Sequence, residues 1–408
     1  MRILSLLIGL SLAGFVSAED AVLTTGPAFQ NWLSLPADKR PALAEQPFAS
    51  AALTKEQALK ANELLWKDHL ANVRAARAEE MDKKEIVHGA DKLRFEFKIF
   101  GKKPESGRSL YISMHGGGNT QPKVNDKQWQ NQIGLYEPEE GIYLAPRAPS
   151  DTWNLWHKAH IDPLFDRLIE NLIILEDVNP NKVYFMGYSA GGDGVYQLAP
   201  RMADRLAAAA MMAGHPNETK PDGLRNIGFT LHMGGEDGAY KRNQIAAEWK
   251  TKLAELHKAD PEGYVHEVQI HKGKGHWMDK EDAVAVPWMA KFTRNPHPKK
   301  VVWLQDDVTH TRFYWLSVDS RKQGQRIVAS IKDQTITLEE GKGCRRLTFF
   351  LTDAMLDLDQ EITVRHAGKS LFRGKVERTV QTLAETLASR PDPTQRFWGN
   401  VTVDLEGS

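Results

Sequence analysis

Apolar positions change their period along this chain, and the change predicts its organisation. Residues 54–84 carry Leu59, Leu64, Leu65, Leu70 and Val73 at helical spacing, with Thr54 placed as N-cap. Residues 93–99 alternate, with Leu93, Phe95, Phe97 and Ile99 on one face, which predicts an edge strand. Compact apolar runs at 110–114, 141–145, 182–186, 227–233 and 264–270 are short enough for strands. Between and after them, 163–176, 195–206 (kinked at Pro200), 240–258 and 280–292 read as helices. Strands alternating with helices predict a mostly parallel sheet with right-handed crossovers and helices on both faces. Residues 19–50, rich in Ala, Pro and Ser, read as an irregular lead-in.

Beyond residue 294 the alternation stops. Residues 294–300 contain Pro296 and Pro298 and read as a linker. Short strands are then expected at 301–304, 313–318, 326–331, 335–338, 347–351 and 361–364, followed by a helix over 377–389 and a strand over 400–405. The expected division is 1–18 as a leader, 19–89 as a lead-in with its helix, 90–295 as an α/β domain, and 296–408 as a smaller β-sandwich-like domain.

The leader changes the picture of where the protein works. Met1-Arg2 precedes an apolar run over 3–16, and Val16-Ser17-Ala18 places small residues for cleavage before Glu19. The run is shorter than the roughly 20 residues of a membrane span, so a signal peptide and a periplasmic or extracellular product are expected, with no integral membrane association. Cys344 is the single cysteine, so no disulfide can form within the chain, and a buried structural thiol is expected there. Lys plus Arg and Asp plus Glu both total 53, which gives no electrostatic reason to expect a nucleic-acid partner.

Candidate chemistry concentrates at strand ends. Gly187-Tyr188-Ser189-Ala190-Gly191 follows the 182–186 strand and leads into a helix, which is the setting of a nucleophile elbow. Glycine is needed two residues before and two after the serine, because a Cβ there would collide with the neighbouring backbone. The 110–114 strand runs into His115-Gly116-Gly117-Gly118-Asn119. An N–H of Gly117 or Gly118, with that of Ala190, would form an oxyanion hole. Asp237 follows the 227–233 strand, and His276 follows the 264–270 strand. The order Ser189, Asp237, His276 is that of α/β-hydrolases. In this scheme His276 takes the serine proton and Asp237 orients the imidazole. Glu236 is the alternative acid, and His271 and His215 are alternatives to His276.

These segments resemble secreted α/β-hydrolases of the polyhydroxybutyrate-depolymerase and feruloyl-esterase type, over about residues 90–295. The resemblance implies a serine carboxylesterase without metal or organic cofactor, acting on esters of hydroxy acids, aromatic acids or decorated polysaccharides, some of them polymeric. Such relatives often bear disulfides, which this chain cannot. The region after residue 296 is similar to the C-terminal β domain of some such hydrolases. Trp153, Trp156 and Trp277 lie near the expected cleft, where they would either stack on substrate or pack in the core. His257, His266 and His271 fall on a helix end and on opposite strand faces, so no metal site is expected from them. A serine peptidase and a polymer-binding protein with a vestigial hydrolase core are the alternative functions. The intact set of Ser, His and acid argues against the second.

Overall fold

A computed structural model describes residues 18–405, with side chains from residue 26 onward. The leader and its cleavage point fall outside the described residues except for Ala18. The lead-in is more regular than expected: α1 spans Ala18–Ser34, and two short 3₁₀ turns follow it. The long helix is present as α2, Lys55–Lys83, closed by a capping box in which Thr54 and Gln57 bond reciprocally. Its inward face differs from the leucine stripe. Ala58, Ala61, Leu65, Val73 and Met81 are buried while Leu59 is exposed, because the small alanines let the helix sit close to its neighbours.

The central sheet is built from β1 (Glu85–His88), β2 (Asp91–Phe100), β3 (Arg108–Met114), β4 (Gly141–Arg147), β5 (Val178–Tyr188), β6 (Ala208–Met212), β7 (Gly228–Gly234) and β8 (His266–His271). Their order is β1-β2-β4-β3-β5-β6-β7-β8. The pairs among β3 to β8 are parallel, while β2 runs antiparallel to both β1 and β4. The expected edge strand is therefore one place in, and β1 is the true edge. The connecting helices are α3 (Pro122–Ile133), α4 (Ile161–Leu175), α5 (Ala190–Arg201), α6 (Arg242–Ala259) and α7 (Ala285–Met289). Pro200 lies in the last turn of α5, so it ends the helix instead of kinking it. This is the α/β-hydrolase fold.

Both faces of the sheet are covered at its centre, which explains why β3, β4, β6 and β7 are buried nearly throughout while β1, β2 and β8 are not. In β5, Val183 and Phe185 enter one buried cluster, while Tyr184, Met186 and Tyr188 enter another on the opposite face. The second cluster is closed by Met278, Ala285 and Met289 from the segment after β8. The first is far larger and extends without a break into the C-terminal region.

That region adds two sheets. One pairs β10 (Arg312–Phe313), β11 (Leu316–Val318), β14 (Arg346–Leu351) and β17 (Gly399–Asp404) in that order. The other orders β16 (Lys369–Gly374), β15 (Ile362–His366), β13 (Thr335–Lys342), β12 (Arg326–Lys332) and β9 (Lys300–Leu304). Helix α8, Val380–Ser389, precedes β17. The single strand expected over 313–318 is instead a hairpin, with Tyr314 at φ 51° in its turn. The Tyr314 N–H donates to Asp204 Oδ2 (3.0 Å) and its hydroxyl to Ala203 O (3.1 Å), so this turn is fixed by the α/β core. Arg294 is buried and bonds Asn181, Asp204 O, Asp392 and Thr394, so residues 294–300 form a bonded seam. Cys344 is half-buried, and burial pushes its thiol up to about 11, so the group is inert at neutral pH. Among the described residues no helix is long and apolar enough to cross a membrane.

Candidate active site

The turn after β5 is strained in the way the glycine pattern requires. Ser189 sits at φ 59°, ψ −122°, a region costly for any residue with a side chain. A Cβ on Gly187 would lie 2.2 Å from Gly191 O, and one on Gly191 would lie 2.0 Å from Met114 O. No other residue fits either place. The Ser189 N–H donates to Met212 O (2.9 Å), and the Asp193 N–H donates to Ser189 O (2.9 Å), tying the turn to β6 and to the first turn of α5.

Two distant loops converge on this serine. The Ser189 hydroxyl lies 2.9 Å from His276 Nε2, and His276 Nδ1 lies 2.7 Å from Asp237 Oδ2. The imidazole is part-exposed, while the carboxylate is 2 % exposed. Tyr188 anchors the histidine loop: its hydroxyl donates to His276 O (2.7 Å) and accepts from the Met278 N–H (3.1 Å). Glu236 points to solvent, and its backbone N–H is bound to Lys274 O. His271 is packed against His232 and Glu281, and His215 Nδ1 accepts from the Asn217 N–H. None of these alternatives reaches Ser189. His257 and His266 each bond a nearby carbonyl, and the structure does not bring them together with His271.

The glycine loop after β3 is held by buried polar groups. His115 Nδ1 donates to Gly116 O (2.6 Å) and its Nε2 accepts from the Ala148 N–H (3.1 Å), a pattern that fixes one neutral tautomer. Burial pushes this imidazole down to about 4. Asn125, absent from the sequence expectations, is fully buried. Its Oδ1 accepts from the Gly118 N–H (2.8 Å), and its Nδ2 donates to Asp151, which Arg147 grips in turn. The Gly118 N–H is therefore already occupied, which corrects its expected place among the oxyanion donors. The N–H groups of Gly117 and Ala190 make no hydrogen bond among the described residues. Asn125 carries no distinguishing signal in the sequence, because it is one of two asparagines in the polar helix α3.

Ser189 is flanked by two cavities. One, of about 390 Å³, is lined by Gly117, Trp153, Ala190, Asp193, Tyr240 and Arg242 among others. The second, of about 500 Å³, is lined by Gln128, Leu135, Tyr188, His276 and Trp277 among others. Trp153 and Trp277 are 58 % and 49 % exposed and each opens onto one of them. Trp156 is corrected: it is fully buried, its indole N–H donates to His115 O (3.0 Å), and it offers no surface to a ligand.

Asp193 carries a measurable consequence of this burial. Its carboxyl is pushed up to about 6, chiefly by desolvation. A carboxyl raised in the folded state leaves stability untouched below the unfolded value of about 4, and costs stability increasingly as pH rises towards 6. Asp193→Asn keeps the acceptor for the His215 N–H and removes the charge. It is expected to raise stability at pH 7 by about 3 kcal/mol, with the gain vanishing near pH 4. Thermal melting of both proteins across that range checks it; an equal offset at every pH would remove the ionisation as its cause.

No protein-family model matches the chain, and no curated protein matches it in sequence. Solved structures do match part of it. A thermostable esterase shares 14 % identity over 52 % of this chain and 62 % of its own, with a TM-score of 0.38. The chain thus spans less than two thirds of that protein's length. A ferulic acid esterase shares 14 % identity over 51 % of this chain and 95 % of its own, with a TM-score of 0.37. A poly(aspartic acid) hydrolase from a Sphingomonas species shares 13 % over 51 % and 96 %, with a TM-score of 0.38.

Proposed function

We propose that the protein is a secreted serine hydrolase cleaving carboxylic esters through an acyl-enzyme. The observation that carries this reading is the bonded chain from Ser189 through His276 to buried Asp237, set on a strained elbow. Ser189 Oγ attacks the ester carbonyl carbon while its proton passes to His276 Nε2. Asp237 fixes the imidazole tautomer and stabilises the imidazolium. The carbonyl electron pair moves to oxygen, which the Gly117 and Ala190 N–H groups receive; such a donor is worth on the order of 3–4 kcal/mol. Collapse expels the alcohol, which takes the proton from His276. Water, deprotonated by the same imidazole, then attacks the acyl-serine; the acyl–Oγ bond breaks, Ser189 Oγ takes the proton back from His276, and the acid leaves. These steps use side chains and backbone alone. Hydroxyalkanoate, feruloyl and acetylated-polysaccharide esters are the substrate classes that the motif resemblance suggests. Trp153 and Trp277, each lining one of the cavities beside Ser189, would border such a substrate.

A fluorophosphonate probe is expected to label the folded protein at Ser189, located by peptide mapping. Equal labelling of Ser189→Ala, or none of the unsubstituted protein, removes the nucleophile assignment. A panel of short acyl, feruloyl, acetyl-sugar and hydroxyalkanoate esters, with matched amides, then separates esterase from peptidase.

A further inference from the structure

The smaller cavity beside Ser189 contains a cation that the reaction scheme does not use. Arg242 opens α6 directly after Tyr240 and Lys241, both in the left-handed region, and its guanidinium lies 4.8 Å from the Tyr240 ring centroid. The side chain is only 12 % exposed, yet its five donors are poorly used. One N–H reaches Ala239 O at 3.5 Å, the approach to Asp237 Oδ1 is 3.8 Å, and the buried Nε has no partner among the described residues. A guanidinium held this dry without a bidentate partner is an unusual cost unless a ligand completes it.

Its neighbours on the cavity wall do not complete it. Asp193 has one oxygen taken by the His215 N–H (2.6 Å) and makes no hydrogen bond to the guanidinium, which acts on it only through space. His215 accepts at Nδ1 from the Asn217 N–H, which places the proton of its neutral ring on Nε2 and makes it a further donor. Arg242 and His215 therefore offer donors from this wall, beside the Asp193 carboxyl and an apolar Trp153 face.

The side of Ser189 on which this wall lies decides what part of a substrate it meets. A leaving alcohol must come within reach of His276, and His276 with Trp277 lines the other cavity. The Arg242 cavity, which includes Ala190, is left for the acyl group. We infer that Arg242 is a specificity residue that binds a free carboxylate on the acyl portion, so that the preferred substrates are monoesters of dicarboxylic acids. This inference rests on the esterase reading for its assignment of the two sides.

Binding to the Ser189→Ala protein tests it without turnover. Monoethyl glutarate is compared by calorimetry with its neutral isostere, ethyl glutaramate. The carboxylate ligand is expected to bind roughly ten- to a hundredfold more tightly, the range for a charged hydrogen-bonded pair. Arg242→Gln in the same background should erase that ratio, and Arg242→Lys should keep part of it. Equal binding of the two ligands, absence of binding by either, or a preference that survives Arg242→Gln overturns the inference. Turnover by the unsubstituted protein separates this from the broader reading. Carboxylate-selective binding without hydrolysis of any ester sinks the esterase assignment and leaves the anion site. Hydrolysis of neutral and charged esters at equal kcat/KM does the reverse. A kcat loss by the same factor on both ester types in the Arg242→Gln enzyme would reduce Arg242 to an electrostatic neighbour of Asp237.

Discussion

Asp237→Asn is expected to lower kcat on a small soluble ester by about four orders of magnitude, the scale seen when a triad carboxylate is neutralised. The geometry explains why so small a change should act so strongly. Asp237 is buried and offers Oδ2 to His276 Nδ1 at 2.7 Å, so the proton sits on Nδ1 and leaves Nε2 free to accept from Ser189. An asparagine can present an N–H in the same place, which forces the opposite tautomer and blocks Nε2 as a base. The carboxamide has the same shape, so the melting temperature should move little. Glu236→Gln provides the contrast: Glu236 is exposed and makes no contact with the imidazole, so its kcat should stay within about twofold. Steady-state kinetics and melting curves on both variants check the ranking. A larger loss for Glu236→Gln would transfer the acid role to that residue.

The elements positioning these residues were legible because each is short-range. The apolar runs of β3, β5 and β7 end in glycine-bearing turns, and a parallel sheet converts that pattern into convergence at one edge. What escaped is equally physical. Strand β6 is Ala208-Ala209-Ala210-Met211-Met212, a composition that favours helix by propensity. It is a strand because it is fully buried between β5 and β7, where close packing prefers small side chains. Trp156 lies three residues from Trp153 in one loop, yet one is buried and the other exposed. The spacing could not distinguish them, because the difference comes from the His115 carbonyl that Trp156 bonds. Gly117 and Gly118 were equivalent in sequence until Asn125 claimed one N–H. Arg242 gave no signal in a run of mixed charges, since its isolation arises from the turn at Tyr240 and Lys241.

Deleting the chain from about Pro298 onward is expected to abolish folding and not merely binding to a polymer. The linker-like composition of residues 294–300 and the change from βα alternation to short strands suggest a separately cored unit, which could hold polymeric substrate or cover apolar surface of the core. The contacts across the seam favour a different outcome. Asp204 is fully buried and bonded to Arg205, to Arg390 and to the Tyr314 N–H; the last two would be removed. Arg294 would lose Asp392 and Thr394, and Asp162 would lose His310, which it accepts from at 2.7 Å. Breaking a buried pair by removing one partner costs about 3–5 kcal/mol, against a total stability of about 5–15 kcal/mol. The N-terminal segment is also held from the tail: Arg396 donates to Asn62 O (3.2 Å), and the Gln381 N–H donates to Ala49 O (2.8 Å). Trp303, Phe313, Trp315 and Phe349 belong to the same buried cluster as Leu164, Phe165 and Phe185, so the cut would expose apolar surface on the core. The truncated protein should aggregate or melt far below the full chain, losing activity on soluble and polymeric esters together. Thermal melting run beside both assays decides the matter. A truncated form that melts normally, keeps its rate on a soluble ester and loses only the polymer would show the tail to be a separately folding substrate-holding unit.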